Sequence, residues 1–94
     1  MNKETDQLIR LLSLEDNPET MRKFLFDLLT PKELLEMSNR WKAAKMLSKR
    51  NPYTEIEFTT GLSSATIARI SKWLKTGNKG YQAFMERMLG LGWD

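Results

Sequence analysis

A glycine stands between two segments of helical periodicity in the stretch YTEIEFTTGLSSATIARISKWLK, residues 53–75. Ile56 lies on an apolar face before Gly61, and three apolar residues recur at steps of three and four after it: Ile67, Ile70 and Leu74. Glycine suits the tight turn that two short helices need at this point. The stretch therefore predicts a helix-turn-helix over about residues 52–75, a unit that places its second helix, the recognition helix, in the major groove of DNA.

Apolar residues elsewhere also recur at helical spacing and nowhere alternate cleanly, so we predict an all-α fold of about six helices without strands. With 94 residues, 40% of them hydrophobic, the chain has room for a single small domain over residues 1–94. The core of so short a chain is modest, and part of its apolar surface would then need cover from a second copy. Size alone therefore favours a homodimer.

Capping residues mark the helix boundaries. A polar break at residues 15–17 precedes Pro18, which opens the second helix. The run Thr30-Pro31-Lys32-Glu33 combines an N-cap, a first-turn proline and an acid three residues after the cap, which starts a third helix. We expect that helix to run to about Lys49, with Met37 and Trp41 in the core.

The later boundaries follow the same rules. Asn51-Pro52 ends the third helix, and Ser63 or Ser64 caps the recognition helix. Residues 76–78 end that helix, and a sixth starts near Gly80. The glycines at 90 and 92 leave the conformation of the tail open.

Composition excludes several kinds of chemistry. Cysteine and histidine are absent, which excludes disulfides, thiolate metal sites and histidine catalysis. No carboxylate or lysine pair is spaced for acid–base work, so we expect no enzyme, metal or cofactor. The start MNKETDQL lacks an apolar run, and no segment approaches the roughly 20 apolar residues of a membrane span. We expect a cytoplasmic protein with no membrane partner.

Charge is distributed unevenly along the chain. Residues 1–40 hold six Lys/Arg against eight Asp/Glu, whereas residues 41–94 hold nine against four. Double-stranded DNA is the partner that this distribution favours, because cations beside a recognition helix contact phosphates. The candidates for phosphate contacts are Lys42, Lys45, Lys49 and Arg50. The same lysines also fit an ordinary solvated helix face.

Three groups of residues resemble the tryptophan repressor family, and within it the YerC/YecD group: LTPKE at residues 29–33, Asn39-Arg40, and GLSSATIAR at residues 61–69. The resemblance covers roughly residues 20–90, and its sharpest element is Gly-x-x-x-Ala-Thr-Ile. It implies two chains interlaced through their N-terminal helices, with recognition helices in successive major grooves of a palindromic operator. The function implied is that of a transcriptional regulator, most simply a repressor.

The resemblance also implies which residues meet DNA. Thr66 offers a hydroxyl and a methyl to base edges, and small neighbours allow close approach. With so few bidentate donors, water-mediated contacts and DNA shape would supply much of the specificity. The full set of candidate DNA-binding residues is Tyr53, Thr54, Ser64, Ala65, Thr66, Ala68, Arg69 and Lys72. Glu55 and Glu57 oppose this reading, because acids repel phosphate.

In the family a tryptophan corepressor binds among a threonine and two arginines, and Thr30, Arg40 and Arg69 match them. This chain has Ile70 and Trp73 where the family's repressor has glycine and serine, so a protein side chain would fill the indole space. We therefore expect a vestigial effector pocket that does not take tryptophan. Thr30 also fits a helix cap, and Arg40 a partner of Glu36 four residues earlier.

Two other interpretations of the helix-turn-helix stay open. The segment also fits a purely structural helical hairpin. A helical protein-interaction or dimerisation module without specific DNA binding is the main alternative function, favoured by the apolar tail at residues 89–93. An exposed apolar patch without salt-dependent DNA affinity would mark such a module.

Overall fold

The computed structural model describes residues 2–93, and these residues form six α-helices with no strand among them. The helices are α1 (Lys3–Leu14), α2 (Pro18–Leu28), α3 (Pro31–Ser48), α4 (Tyr53–Thr60), α5 (Ser64–Thr76) and α6 (Gly80–Gly90). The prediction of an all-α fold is confirmed, and each predicted boundary lies within about a residue of the observed one. Within residues 2–93, no helix combines the length and the apolarity needed to cross a membrane.

Side-chain caps explain why the first three helices start where they do. The Asn2 Oδ1 atom accepts the Thr5 N–H at 2.8 Å at the start of α1. Asn17 accepts the Glu19 N–H at 2.9 Å before Pro18, the first residue of α2. At α3, the Thr30 N–H donates to Glu33 Oε1 at 2.9 Å, and the Glu33 N–H donates to Thr30 Oγ1 at 3.1 Å. This reciprocal pair is the capping box that the sequence predicts.

The chain divides into two units, residues 1–35 and residues 36–94. In the first unit, α1 and α2 line a groove of about 240 Å³ with side chains that include Leu12 and Met21. Many large apolar side chains of this unit remain exposed: Ile9, Leu11, Leu14, Phe24, Phe26, Leu28 and Leu35. The first unit therefore has no fully buried apolar side chain among its described residues. The prediction that residues 1–94 form one domain stays a prediction.

The second unit has a small core to which three helices contribute. Its fully buried side chains are Ala43 and Ala44 of α3, Ile56 of α4, and Ile67 and Ile70 of α5. Partly buried residues pack against them, and these extend the core to α6: Met46, Leu47, Leu62, Leu74, Tyr81 and Met85. Burying three isoleucines contributes about 1.5–3 kcal/mol each. The core thus fixes α5 against α3 and α4.

One prediction about this core is wrong. Met37 is 51% exposed, although helical spacing places it on the same stripe as Ala44. The buried residues of α3 are Ala43 and Ala44, so the core contacts fall on the second half of the helix. Trp41 is partly buried, and its ring contacts Tyr81 and Phe84.

Two helices end in the same hydrogen-bond pattern. After α3, the Arg50 N–H donates to the Leu47 carbonyl at 2.9 Å and the Asn51 N–H to the Met46 carbonyl at 3.0 Å. This is a Schellman motif, and it holds Arg50 at φ +63°, a conformation that favours glycine. After α6, Gly92 takes the same place at φ +77°. The glycine therefore gives the tail a defined turn up to residue 93, and Asp94 lies outside the described residues.

Candidate nucleic-acid interface

The turn between α4 and α5 is built around Gly61 and Thr60. Gly61 ends α4 in the left-handed conformation at φ +72°, and its N–H donates to the Glu57 carbonyl at 2.9 Å. The buried Thr60 hydroxyl donates to the Ile56 carbonyl at 2.7 Å and accepts the Leu62 N–H at 3.2 Å. These bonds pair the Gly61 and Leu62 N–H groups and the Thr60 hydroxyl, and they fix the direction in which the chain enters α5.

Helix α5 has one face in the core and the other in solvent. Ile67 and Ile70 are fully buried, which holds the helix against Ala43, Ala44 and Ile56. The opposite face carries the predicted contact residues, and five of them are exposed: Ser64, Ala65, Ala68, Arg69 and Lys72. The structure thus brings these residues together on one outward face of the recognition helix.

The first turn of α5 is capped by Ser63, one of the two serines that the sequence allows. Its Oγ atom accepts the Thr66 N–H at 3.2 Å, and the Ser63 and Thr66 hydroxyls are hydrogen-bonded to each other with their oxygens 3.0 Å apart. Thr66 is partly buried, whereas Tyr53 and Thr54 are exposed in the first turn of α4. Sequence spacing indicates the cap but not the contact between the two side-chain hydroxyls.

The predicted phosphate-binding cations lie on α3 and directly after it. Lys42, Lys49 and Arg50 are exposed, and Lys45 is partly buried. The ion pair that the structure shows within residues 2–93 joins Arg40 to Glu36 at 3.2 Å. The four cations are therefore not neutralised by a carboxylate of the described part of the chain, and they are free to meet an external anion.

Two residues of the predicted effector pocket, Thr30 and Arg40, form hydrogen bonds with residues of α3. Thr30 and Glu33 form the cap of α3, and these hydrogen bonds hold the pKa of the Glu33 carboxyl below its usual value. The Arg40 guanidinium donates to Glu36 within its own helix. Thr30 belongs to the first unit and the other residues of the set to the second.

Arg69, Ile70 and Trp73 lie on α5, and they differ in exposure. Arg69 is exposed, and Ile70 is fully buried among the core residues. Trp73 is 41% exposed. Both side chains are larger than those expected from the resemblance, where glycine stands at the position of Ile70 and serine at that of Trp73.

Trp73 lines an aromatic groove that sequence reasoning did not identify. The groove has a volume of about 550 Å³ and is lined by Trp41, Trp73, Asn78, Lys79, Gly80, Tyr81 and Phe84. The Trp41 and Tyr81 rings are nearly parallel, with centroids 6.5 Å apart, and Phe84 meets Trp41 edge-on. The sequence predicts a sixth helix near Gly80, but only the three-dimensional structure shows that its aromatic residues leave a groove open beside α3 and α5.

Comparison with known proteins identifies the family. Residues 3–89 match the family model described as Trp repressor protein. The uncharacterized protein YerC of Bacillus subtilis (strain 168) is 41% identical over 87 residues, which are 92% of this chain and 83% of YerC.

Two solved structures share the fold. A candidate Trp repressor from Staphylococcus aureus superposes with a TM-score of 0.86 at 32% identity, covering 95% of this chain and 89% of the other. A TrpR-like protein from Eubacterium eligens ATCC 27750 gives a TM-score of 0.84 at 37% identity, covering 96% and 92% of the two chains. On these matches, the chain belongs to the Trp repressor family, a family of DNA-binding regulators.

Proposed function

We propose that this protein is a sequence-specific transcriptional regulator, most simply a repressor, that binds a palindromic operator as a homodimer. The observation that carries the proposal is the outward face of α5. Its buried side is anchored by Ile67 and Ile70, while Ser64, Ala65 and Arg69 stand in solvent. A helix held in this way can enter a major groove without losing any core contact.

The contacts divide into two kinds by their chemistry. Residues in the first turn of α5, with Thr66 the most versatile, read base edges in the groove. The cations Lys42, Lys45, Lys49 and Arg50, together with Lys72, bind phosphates and set the affinity. Tyr53 and Thr54 add contacts from the start of α4. Because the base contacts are few, DNA shape and bridging waters supply part of the specificity.

The homodimer is supported by apolar surface that a single chain leaves exposed. Leu14 of α1 is 77% exposed, and Phe26 of α2 is 54% exposed. Exposed apolar surface on this scale marks an interaction site, and the family's interlaced N-terminal helices would cover it in a second copy. Two recognition helices would then meet half-sites about one helical turn, roughly 34 Å, apart.

Regulation proceeds without tryptophan in this proposal. Ile70 is fully buried, so its side chain stays in the space that a glycine would leave free. Arg40, the residue expected to hold the amino-acid carboxylate, is paired with Glu36. The isoleucine in place of the family's glycine and the pairing of Arg40 both support regulation that does not use tryptophan.

The test of the docking face is the substitution Thr66→Asp. A carboxylate in the first turn of α5 would face DNA phosphates, and we expect specific binding to fall by at least about a hundredfold. The matched control is Thr76→Asp, which adds the same charge about 15 Å away along the same helix. That distance exceeds the screening length of about 8–10 Å at moderate salt, so the control should bind nearly as well as the unmodified protein.

Fluorescence anisotropy with a labelled operator would measure the DNA affinity of the two variants, and circular dichroism would show whether their helix content is unchanged. Unchanged affinity of folded Thr66→Asp protein would exclude this face as the DNA-binding surface.

A second candidate function has one observation in its favour. Phe84, Leu89 and Trp93 near the carboxyl end are 64–70% exposed. Such a surface fits a helical protein-interaction module that does not bind specific DNA. DNA affinity that is weak and independent of sequence would favour this function over the regulator.

A further inference from the structure

Thr60 places a polar side chain in the core of the second unit. It is 6% exposed, and the other buried side chains among residues 2–93 are apolar. A hydroxyl inside an apolar core costs free energy unless its hydrogen and its oxygen both find partners. An apolar side chain of the same size has no such requirement, so packing alone does not account for the hydroxyl at this position.

The two partners of the Thr60 hydroxyl lie on opposite sides of Gly61. The hydroxyl donates to the Ile56 carbonyl, one turn earlier in α4, at 2.7 Å, and it accepts the Leu62 N–H at 3.2 Å. The direction of each bond is determined, because a carbonyl can only accept and an N–H can only donate. The side chain thus connects the last turn of α4 to the segment that leads into α5.

This connection spans the most permissive point of the helix-turn-helix. Gly61 has φ +72°, and a residue without a Cβ can adopt more backbone conformations than any other. The buried Ile67 and Ile70 hold the inner face of α5 in the core, but apolar contacts have no preferred direction. Hydrogen bonds do, since they weaken steeply as they bend. The Thr60 bonds therefore restrain the angle between α4 and α5 where glycine restrains it least.

We propose that Thr60 is a positioning residue for DNA recognition, which sets the angle at which α5 leaves the turn. The inference rests on the proposed function, in which α4 and α5 contact one operator together. Arg69 lies about 8 Å beyond Ser64 along α5. A rotation of about 10° at the turn would move it by about 1.4 Å, which is more than a hydrogen bond to a base tolerates. Thr60 thus contributes to specificity without touching DNA.

Three substitutions separate the hydroxyl of Thr60 from its methyl group. Thr60→Val keeps the shape and loses both hydrogen bonds, Thr60→Ser keeps the hydroxyl and loses the methyl, and Thr60→Ala loses both groups. Each change removes a buried contact or a buried hydrogen bond, so we expect each variant to unfold about 5–10 °C below the unmodified protein. Binding is measured at a temperature where circular dichroism shows full helix content for all four proteins.

Affinities for two duplexes give the test, namely an operator selected with the unmodified protein and DNA of unrelated sequence. Thr60→Val and Thr60→Ala should bind the operator about five- to twentyfold more weakly, because base contacts depend on the angle of α5. Their affinity for the unrelated duplex should stay within about twofold, since phosphate contacts by flexible lysines tolerate the change. Thr60→Ser should bind both duplexes as the unmodified protein does.

A loss confined to the operator identifies positioning, because partial unfolding would weaken binding to both duplexes by the same factor. Equal losses of Thr60→Val on the two duplexes, or full operator affinity of both variants without a hydroxyl, would overturn the positioning role and leave the regulator intact. Thr60→Ser binding the operator as weakly as Thr60→Val would overturn it as well. Failure of the unmodified protein to select any DNA sequence would refute the proposed function itself and the inference with it.

Discussion

Arg50 and Lys79 both adopt a backbone conformation that usually belongs to glycine. Arg50 has φ +63° directly after α3, and Lys79 has φ +67° directly before α6. The left-handed conformation costs a residue with a Cβ about 1–2 kcal/mol. This cost arises from the Cβ and not from the charge, so folding alone does not require an arginine or a lysine at either position.

For Arg50, the proposed role is a phosphate contact, and this predicts opposite effects on folding and binding. Arg50→Gly should raise the free energy of unfolding by about 0.5–1 kcal/mol, because glycine relieves the strain but adds freedom to the unfolded chain. The same change should weaken DNA binding and reduce the slope of log affinity against log salt by about one. Urea denaturation and anisotropy titrations at several salt concentrations measure the two effects.

Lys79→Gly is the matched control, because it removes one positive charge at a backbone of the same kind. It should stabilise the fold by a similar amount and leave the salt slope unchanged, since Lys79 is not among the proposed phosphate contacts. Equal salt slopes for the Arg50→Gly variant and the unmodified protein would refute the contact.

These two residues also show what a sequence leaves undetermined. A cap such as Thr30 or Ser63 is predictable because its hydrogen bonds join residues three positions apart. The left-handed conformation of Arg50 cannot be predicted in this way, because the surrounding sequence indicates only that a helix ends before Pro52. The conformation appears only in the backbone hydrogen bonds of the folded chain.

At the scale of elements, the start of α3 depends on one carboxylate. Hydrogen bonds from the Thr30 backbone and then from its side chain lower the pKa of Glu33 from 4.5. A lowered pKa in the folded state means that the carboxylate stabilises the fold above pH 4.5, and that this contribution is lost as the pH falls through the folded value.

Glu33→Gln should therefore remove part of the pH dependence of folding. Glutamine can form the same capping box without a charge, so the cap persists but the side chain at position 33 no longer takes up a proton as the pH falls. Between pH 6 and pH 3 we expect the unfolding temperature of the unmodified protein to fall further than that of the variant. Parallel pH profiles of the two proteins would show that this carboxylate is not linked to folding. Thermal melts followed by circular dichroism give the comparison.

Helix positions could be predicted because apolar periodicity and caps are local properties of the chain. Burial could be predicted only where the partner residues are close in sequence, as for Ile56, Ile67 and Ile70 around the Gly61 turn. Met37 shows the limit, because helical spacing identifies an apolar stripe without saying what covers it. The exposed face of α5 followed from its buried face, whereas the aromatic groove depends on how α3, α5 and α6 meet.

At the scale of the whole molecule, the proposed homodimer accounts for the exposed apolar surface. Leu11 is 55% exposed on α1, although it belongs to the apolar stripe of that helix. Burying a leucine contributes about 1.5–3 kcal/mol, and a symmetric dimer buries each residue twice. Leu11→Glu should therefore weaken dimerisation by at least about a hundredfold.

Sedimentation velocity over a range of concentrations would measure this shift. Arg10→Glu is the control, because it introduces the same side chain at the neighbouring exposed position and should leave the dimer intact. A monomeric Leu11→Glu variant should also lose most of its operator affinity, since one recognition helix contacts only a half-site. A dimer unaffected by Leu11→Glu would exclude this stripe from the interface.

Selection of bound fragments from genomic DNA by the purified protein tests the central claim most directly. The selection is carried out at about 0.15 M salt, where nonspecific phosphate binding is weak, and is repeated with and without added tryptophan. A regulator that works without tryptophan should enrich the same short palindrome in both conditions. Enrichment that requires tryptophan, or no enriched sequence in either condition, would contradict the account.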